Sequence, residues 1–254
     1  MKITRAVVPS LFTVLNMFCG FFSIIHSSKS QYETAAWLII LGAIFDAFDG
    51  IMARITKSSS KFGVEFDSLS DLITFGAAPS FLVYNIYFNS LEGLGILISS
   101  MLLIFGGIRL ARFNVQLVGF DKDYFKGLPI PAQAIMISTF VLSYYTEIGG
   151  IIGWKATALF VLVVSLSLLM VSNFKYDTLP KFTRRNIKEQ PIKFAVFVAA
   201  SAVVAVTGGR AIFPLFLLYT LSGVIRYVIS SSKKILHIHK KSEESEAENS
   251  GIDI

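Results

Sequence analysis

Long apolar runs separated by short polar segments make up most of the chain from residue 9 onward. A helix needs about 20 residues to cross the hydrocarbon core of a bilayer, and eight of the runs reach or approach that length. The pattern therefore predicts an all-α, polytopic bundle of about eight transmembrane helices. The predicted segments are 9–27, 34–54, 66–88, 91–112, 128–147, 155–173, 192–208 and 210–230.

Composition agrees with a membrane protein and excludes several other classes. The chain is 54% hydrophobic and only 16% charged, whereas soluble domains carry about 25% charged residues. Its net charge of +6 comes from basic residues scattered through the polar segments, which indicates contact with membrane lipids and not with nucleic acid. The single cysteine, Cys19, allows no intramolecular disulfide.

The distribution of Lys and Arg among the polar segments predicts the orientation. Most of them, including Arg54, Arg112 and Lys126, fall on one side, whereas the other side holds little beyond Lys155 and Arg210. We therefore expect a multi-pass protein of the cytoplasmic membrane with both termini in the cytoplasm. Residues 1–230 form the predicted transmembrane catalytic domain, and residues 231–254 form a charged, disordered cytoplasmic tail.

Four carboxylates lie within or beside the second and third apolar segments. An unpaired Asp at the centre of a membrane costs about 2.5 to 3.5 kcal/mol on insertion scales, so such residues need a function or a partner. Asp46 and Asp49 share one helical face, and Asp67 and Asp71 share another. A short polar hinge at 54–61 allows the two helices to form an antiparallel pair, which brings the two faces together on the cytoplasmic side.

Converging carboxylates repel each other unless cations neutralise them, and an all-oxygen site suits Mg²⁺, Mn²⁺ or Ca²⁺. Gly50, Ala53 and Gly63 keep the same faces free of bulky side chains. The space they leave would accept a metal-bound phosphate group.

Basic side chains near the same membrane face are further candidates for binding. Arg109 and Arg112 lie three residues apart at the end of the fourth segment, and guanidinium groups suit carboxylates or phosphates. Lys126 lies just before the fifth segment. Each of these side chains has a second interpretation as an anchor at the membrane interface.

The carboxylate pattern D-x2-D-G-x2-A-R-x8-G-x3-D-x3-D over residues 46–71 resembles the signature of the CDP-alcohol phosphatidyltransferase family. Members are membrane enzymes that transfer a phosphatidyl group from a CDP-linked lipid to an alcohol. The resemblance implies the fold of that family, one or two Mg²⁺ or Mn²⁺ ions, Asp71 as catalytic base, and a homodimer. It implies metal ligands at Asp46, Asp49, Asp67 and Asp71, and a CDP site formed by Asp46, Asp49, Gly50, Ala53, Arg54, Gly63 and Asp67.

Three further tracts resemble the branch of this family that uses serine. They are L-F-T-x2-N-x3-G at 11–20, R-L-A-R-F-N at 109–114 and F-K-G-L-P-I-P-A at 125–132. The resemblance implies CDP-diacylglycerol and L-serine as substrates. The residues expected to bind serine or phosphate are Arg109, Arg112, Asn114 and Lys126.

Several alternatives stay open at this point. Within the family, the acceptor could instead be glycerol 3-phosphate or inositol, and the lipid chains could be ester-linked acyl or ether-linked isoprenoid groups. A membrane prenyltransferase with Mg²⁺-bound diphosphate, or a cation transporter, would also place carboxylates in the membrane. A transporter fits less well, because the aspartates lie on one side only and define no path through the bilayer.

Overall fold

The computed structural model describes residues 7–56, 60–116, 124–177, 212–223 and 225, and these residues are mainly helical. A π-helical segment, Leu72–Ala77, joins the third and fourth helices, and a 3-10 turn at Phe88–Leu91 precedes the fifth. The helices are α1 Val7–Ser28, α2 Tyr32–Thr56, α3 Lys61–Asp71, α4 Ala78–Ile86, α5 Glu92–Gln116, α6 Ile130–Tyr144, α7 Trp154–Val171 and α8 Ile212–Gly223, and the strands are β1 Tyr124–Lys126 and β2 Lys175–Asp177.

The predicted all-α membrane fold is confirmed, with the small strand pair as an addition. Among the described residues, the helices long and apolar enough to cross a membrane contain Leu11–Ser28, Tyr32–Ala53, Phe88–Val115 and Trp154–Val171. The third predicted segment is interrupted by the π-helical segment, and the apolar helices at Ile130–Tyr144 and Ile212–Gly223 are shorter. The predicted segment 192–208 and the predicted tail 231–254 lie outside the described residues, so the count of eight and the domain boundary stay predictions.

Local sequence explains where several helices begin. The hydroxyl of Ser60 accepts a hydrogen bond from the backbone N–H of Gly63 at 3.0 Å and so caps the start of α3. Pro129 is the N-cap residue of α6, and Pro131 lies in its first turn, where the missing backbone N–H costs no helical hydrogen bond. The hinge between α2 and α3 falls where the polar run predicted it, after Thr56 and before Lys61.

The core forms where α1 packs along α2, α2 against α6, and α5 along α7. Its largest fully buried apolar side chains include Phe75, Leu82, Leu102, Ile137 and Leu159. Large apolar side chains also cover the outside of the bundle: Phe18, Trp37 and Leu97 are more than half exposed. A soluble protein would avoid such a surface, whereas in a membrane it faces lipid tails.

Contacts between helix ends define two opposite ends of the bundle. At one end, which we call the site end, Arg112 of α5 donates to the carbonyl of Val171 in α7 at 3.0 Å. At the far end, the Tyr32 hydroxyl donates to the carbonyl of Asn85 at 3.1 Å, and Lys155 donates to the carbonyl of Tyr144 at 2.9 Å.

Both strands lie at the site end and hold the loop before α6 against the end of α7. They pair antiparallel, with Lys126 opposite Lys175 in the backbone register. Gly127 follows β1 with φ +80°, and its N–H donates to the carbonyl of Phe174 at 2.8 Å. A Cβ atom at Gly127 would lie 2.2 Å from the carbonyl oxygen of Met170, so only glycine fits here.

Candidate active site

Three of the predicted carboxylates converge between α2 and α3 at the site end. Asp46 lies on α2, and Asp67 and Asp71 lie one turn apart on α3. One carboxylate oxygen from each residue lies within 4.8 Å of those of the other two. Asp71 is buried, while Asp46 and Asp67 are partly exposed. The i, i+4 spacing on α3, together with the packing of both α2 and α3 against α1, brings these side chains together. We call this group the carboxylate triad.

Asp49, the remaining predicted ligand, lies beside the triad and not in it. Its Oδ2 atom accepts a hydrogen bond from the Thr13 hydroxyl of α1, and its side chain is buried. Its charge still acts on Asp46 and Asp67. The structure thus separates one carboxylate, held by α1, from the three that converge.

Helix α1 also contacts the triad directly. The Asn16 side-chain amide donates to Oδ1 of Asp71 at 3.2 Å. The Ser70 hydroxyl donates to the carbonyl of Thr13 at 3.0 Å, which joins α1 to α3 one residue before Asp71. Thr13 and Asn16 lie three residues apart and therefore face the same side of α1.

The π-helical segment begins immediately after Asp71 and is held by two neighbouring helices. Gln133 of α6 is fully buried and donates its side-chain N–H to the carbonyl of Phe75. The Thr74 hydroxyl donates to the carbonyl of Asn16 at 2.8 Å. Insertion of a side chain into the helical ladder is a known cause of such segments, which are frequent at functional sites.

Close helix approach at Thr74 depends on small residues. A Cβ atom at Gly20 of α1 would lie 2.6 Å from the Cα atom of Thr74, and one at Gly42 of α2 would lie 2.5 Å from its Cγ2 atom. Small residues are the usual means by which membrane helices pack tightly. Together, α1 and α2 therefore fix the helical turn that follows Asp71.

The residues predicted to line the CDP site surround the end of α2 and the start of α3. A Cβ atom at Gly50 would meet nothing within 4 Å, so open space lies beside this residue. Ala53 and Gly63 are partly exposed. Arg54 belongs to the last turn of α2, and its side chain lies outside the described residues. Gly50 is thus exposed, with open space beside it, and directly follows Asp49 in α2.

The two predicted arginines have different surroundings. Arg109 is only 8% exposed, and its charge interacts with that of Asp71. Arg112 instead donates to the carbonyls of Val171 and Ser172 and to the side chain of Asn173. It thereby binds the carbonyl end of α7, which carries a partial negative charge. Arg109 is thus the arginine that the structure brings to the triad.

Asn114 and Lys126 complete the predicted set. The Asn114 amide donates to the Ser68 hydroxyl at 3.0 Å and to the Glu65 carboxylate at 3.4 Å, so it ties the end of α5 to α3. Lys126 lies in β1 at the site end, and its side chain lies outside the described residues.

Two side chains at the site, Thr13 and Gln133, were not predicted as functional residues. Both are polar residues inside apolar segments, and that is the signal that marks them. Their partners, Asp49 and the Phe75 carbonyl, lie 36 and 58 residues away in the sequence. No local spacing relates residues so far apart, so only the folded chain shows the contacts.

The triad has the composition of a site for a hard divalent cation. Its donors are carboxylate oxygens alone, and they lie close enough together to share one ion. Softer ions such as zinc usually take nitrogen or sulfur ligands, which this group lacks. Asp46, Asp67 and Asp71 therefore fit Mg²⁺ or Mn²⁺.

Comparison with known proteins shows the family. The profile of the CDP-alcohol phosphatidyltransferase family matches residues 6–174. A CDP-diacylglycerol–serine O-phosphatidyltransferase of Helicobacter pylori strain J99 is 36% identical over 235 residues, which cover 91% of this chain and 95% of the relative. The enzyme of the same name from Bacillus subtilis is 33% identical over 182 residues, covering 71% of this chain and 96% of that protein.

A third relative carries a different name. The archaetidylserine synthase of Methanothermobacter thermautotrophicus is 37% identical over 179 residues, which cover 69% of this chain and 72% of that protein. The family profile spans more than half of the chain and includes every carboxylate of the triad. This chain is therefore a member of the CDP-alcohol phosphatidyltransferase family.

Proposed function

We propose that this protein transfers the phosphatidyl group of CDP-diacylglycerol to the hydroxyl of L-serine, forming phosphatidylserine and CMP. The observation that carries the proposal is the carboxylate triad, Asp46, Asp67 and Asp71, in a chain of this family. The choice of serine is supported by relatives from Helicobacter pylori and Bacillus subtilis that are named for transfer to serine.

A divalent ion, Mg²⁺ or Mn²⁺, would be held by Asp46, Asp67 and Asp71, and a second ion would draw on Asp49 beside them. When bound, such ions neutralise diphosphate charge and stabilise a leaving nucleotide phosphate. The support for this cofactor is the all-oxygen donor set and the 4.8 Å spacing of its oxygens.

Asp71 is the proposed general base. A serine hydroxyl is a weak nucleophile until a base accepts its proton. In the proposed step, the serine oxygen bonds to the phosphatidyl phosphorus, the proton passes to the Asp71 carboxylate, and the bond from phosphorus to the CMP oxygen breaks. The buried position of Asp71 supports this role, since burial excludes competing water.

Arg109 is the proposed partner of the serine carboxylate. It is buried on α5, and its charge interacts with that of Asp71. A fixed guanidinium can bind a carboxylate through two parallel hydrogen bonds. Asn114 and Lys126 lie at the same end of the bundle, and we propose that they support the phosphate and serine groups from the periphery, whereas Arg112 uses its donors on the end of α7.

We propose that the lipid donor places its nucleotide at the end of α2, beside the carboxylates. The open space at Gly50, with Ala53, Arg54 and Gly63 nearby, is the proposed place for the CDP group.

The test is release of CMP from CDP-diacylglycerol by the purified protein with Mg²⁺ or Mn²⁺. Serine, glycerol 3-phosphate and inositol are offered separately. We expect CMP with serine only, none after chelation of the metal, and a kcat at least about 100-fold lower for Asp71→Asn. Release with another alcohol would replace serine as the acceptor. No CMP with any acceptor, from folded protein, would overturn the proposed reaction.

A second candidate donor follows from the relative named archaetidylserine synthase. Archaetidyl lipids carry ether-linked isoprenoid chains, and an apolar groove distinguishes poorly between these and acyl chains. The same assay with a CDP-linked ether lipid compares the two donors directly. The homodimer implied by the family resemblance stays a prediction.

A further inference from the structure

Asn16 is a fully buried amide at the point where three helical elements meet. It lies on α1, its side-chain N–H donates to Oδ1 of Asp71 at 3.2 Å, and its backbone carbonyl accepts the Thr74 hydroxyl at 2.8 Å. Asp71 ends α3, and Thr74 lies in the π-helical segment that follows. Asn16 therefore binds the chain on both sides of the turn after Asp71.

The surroundings of Asn16 determine which way its amide points. A Cβ atom at Gly42 of α2 would lie 3.0 Å from Oδ1 of Asn16, so this oxygen is directed toward α2. The oxygen accepts no hydrogen bond from any described residue. The reverse orientation would set a carbonyl oxygen against the Asp71 carboxylate, and two acceptors repel. The amide N–H thus points to Asp71, although this leaves the amide oxygen buried without a hydrogen bond on the other side, which is destabilising.

A buried amide between membrane helices also has a purely structural interpretation, as a hydrogen bond that holds helices together. Ser23 on the same helix provides the comparison. It is equally buried, and its hydroxyl donates to the carbonyl of Ala35 in α2 at 2.9 Å. Ala35 precedes Asp46 by eleven residues, which is about 16 Å along a helix. Ser23 therefore joins α1 to α2 far from the triad.

We propose that Asn16 is a positioning residue that orients the Asp71 carboxylate toward the other two members of the triad. Hydrogen bonds of this kind fix the direction of a metal-binding or proton-accepting group. The proposal rests on the proposed function, because it takes the triad to be the metal centre. It differs from the structural interpretation in requiring that the effect of Asn16 pass through Asp71.

The test measures Mn²⁺ binding to the purified, substrate-free protein by electron paramagnetic resonance. Loss of a hydrogen bond to a ligand weakens metal binding or activity about 10- to 100-fold. We expect Asn16→Ala to weaken Mn²⁺ binding by at least about tenfold, and Ser23→Ala to leave it within about twofold. In an Asp71→Ala background, we expect Asn16→Ala to have no further effect, because residues that act through one another are not additive.

The outcome separates the proposal from its alternatives. The positioning role would be overturned if Asn16→Ala bound Mn²⁺ as tightly as Ser23→Ala does. It would also be overturned if Asn16→Ala weakened Mn²⁺ binding by the same factor in the Asp71→Ala background as in the wild type. Asn16→Ser, a smaller change, serves if the alanine variant does not fold. CMP release by the wild-type protein is measured in parallel. An inactive wild type counts against the proposed function, whereas an active wild type with unaltered Mn²⁺ binding in the Asn16 variants counts against the positioning role alone.

Discussion

At the scale of single residues, Arg109 and Arg112 show how identical side chains one helical turn apart take different roles. Both arginines belong to the same sequence tract, R-L-A-R-F-N at 109–114. Arg109 is buried, with Asp71 within electrostatic reach, and its guanidinium lies 5.9 Å from the centre of the Phe113 ring. Arg112 uses its donors on the last carbonyls of α7 and on Asn173. These surroundings support the proposal that Arg109 binds serine, whereas Arg112 attaches the end of α7 to α5.

Arg109→Lys tests this division. Lysine keeps the charge but loses the planar pair of donors that fits a carboxylate. A hydrogen bond to a charged group contributes about 1.5 to 3 kcal/mol, so the KM for serine should rise about 10- to 100-fold. The KM for CDP-diacylglycerol should change little, because this lipid has no carboxylate for Arg109 to bind. Both constants come from the CMP assay at saturating levels of the other substrate.

Arg112→Lys is the matched control for the same measurement. Each hydrogen bond lost to α7 contributes about 1 kcal/mol to stability, so the thermal unfolding midpoint should fall. The KM for serine should stay within about twofold, because Arg112 uses its donors on α7 and Asn173. The reverse pattern, with serine affinity lost in the Arg112 variant and kept in the Arg109 variant, would transfer serine binding to Arg112.

At the scale of elements, the π-helical segment between α3 and α4 connects the triad to α6. The sequence predicted one apolar segment over residues 66–88 but not its π-helical turn, because apolar periodicity does not indicate where the hydrogen-bond ladder shifts. The shift occurs where Gln133 of α6 binds the Phe75 carbonyl, a contact between residues 58 positions apart. Since Asp71 is the last residue before this segment, its direction depends on α6 as well as on α3.

Gln133→Leu should therefore affect both stability and turnover. The change leaves the Phe75 carbonyl without its donor, and an unsatisfied buried acceptor costs about 1 to 3 kcal/mol. We expect a lower thermal midpoint and slower CMP release. Ser138→Ala is the control, because Ser138 is equally buried on α6 and its hydroxyl has no partner among the described residues. Equal midpoints for the two variants would mean that the π-helical segment does not need Gln133.

The sequence was informative wherever a function depends on short spacing. Asp67 and Asp71 repeat at four residues, and the polar hinge between α2 and α3 places Asp46 opposite them, so the triad was within reach of sequence reasoning. The hydrogen bond that Thr13 donates to Asp49 was not, because it joins helices whose packing depends on the whole bundle. For the same reason, the contact of Arg112 with α7 became visible only in the fold.

At the scale of the whole molecule, the two ends of the bundle differ in basic side chains. Arg112 and the paired strand positions Lys126 and Lys175 lie at the site end. The far end holds Lys155 and, as an addition to the predicted set, Lys29 in the turn between α1 and α2. Since Arg54 and Lys61 also lie at the site end, the positive-inside rule predicts that this end faces the cytoplasm.

Cysteine labelling in intact cells tests this orientation. Cys19, the single cysteine, is buried and can be replaced by serine to give a cysteine-free background. Lys61 at the start of α3 and Glu147 after α6 are exposed positions at the site end and the far end. We expect a membrane-impermeant maleimide to label Glu147→Cys in intact cells and Lys61→Cys only after permeabilisation. The opposite pattern would place the triad outside the cytoplasm, where a nucleotide-activated lipid made inside the cell could not reach it without first crossing the bilayer.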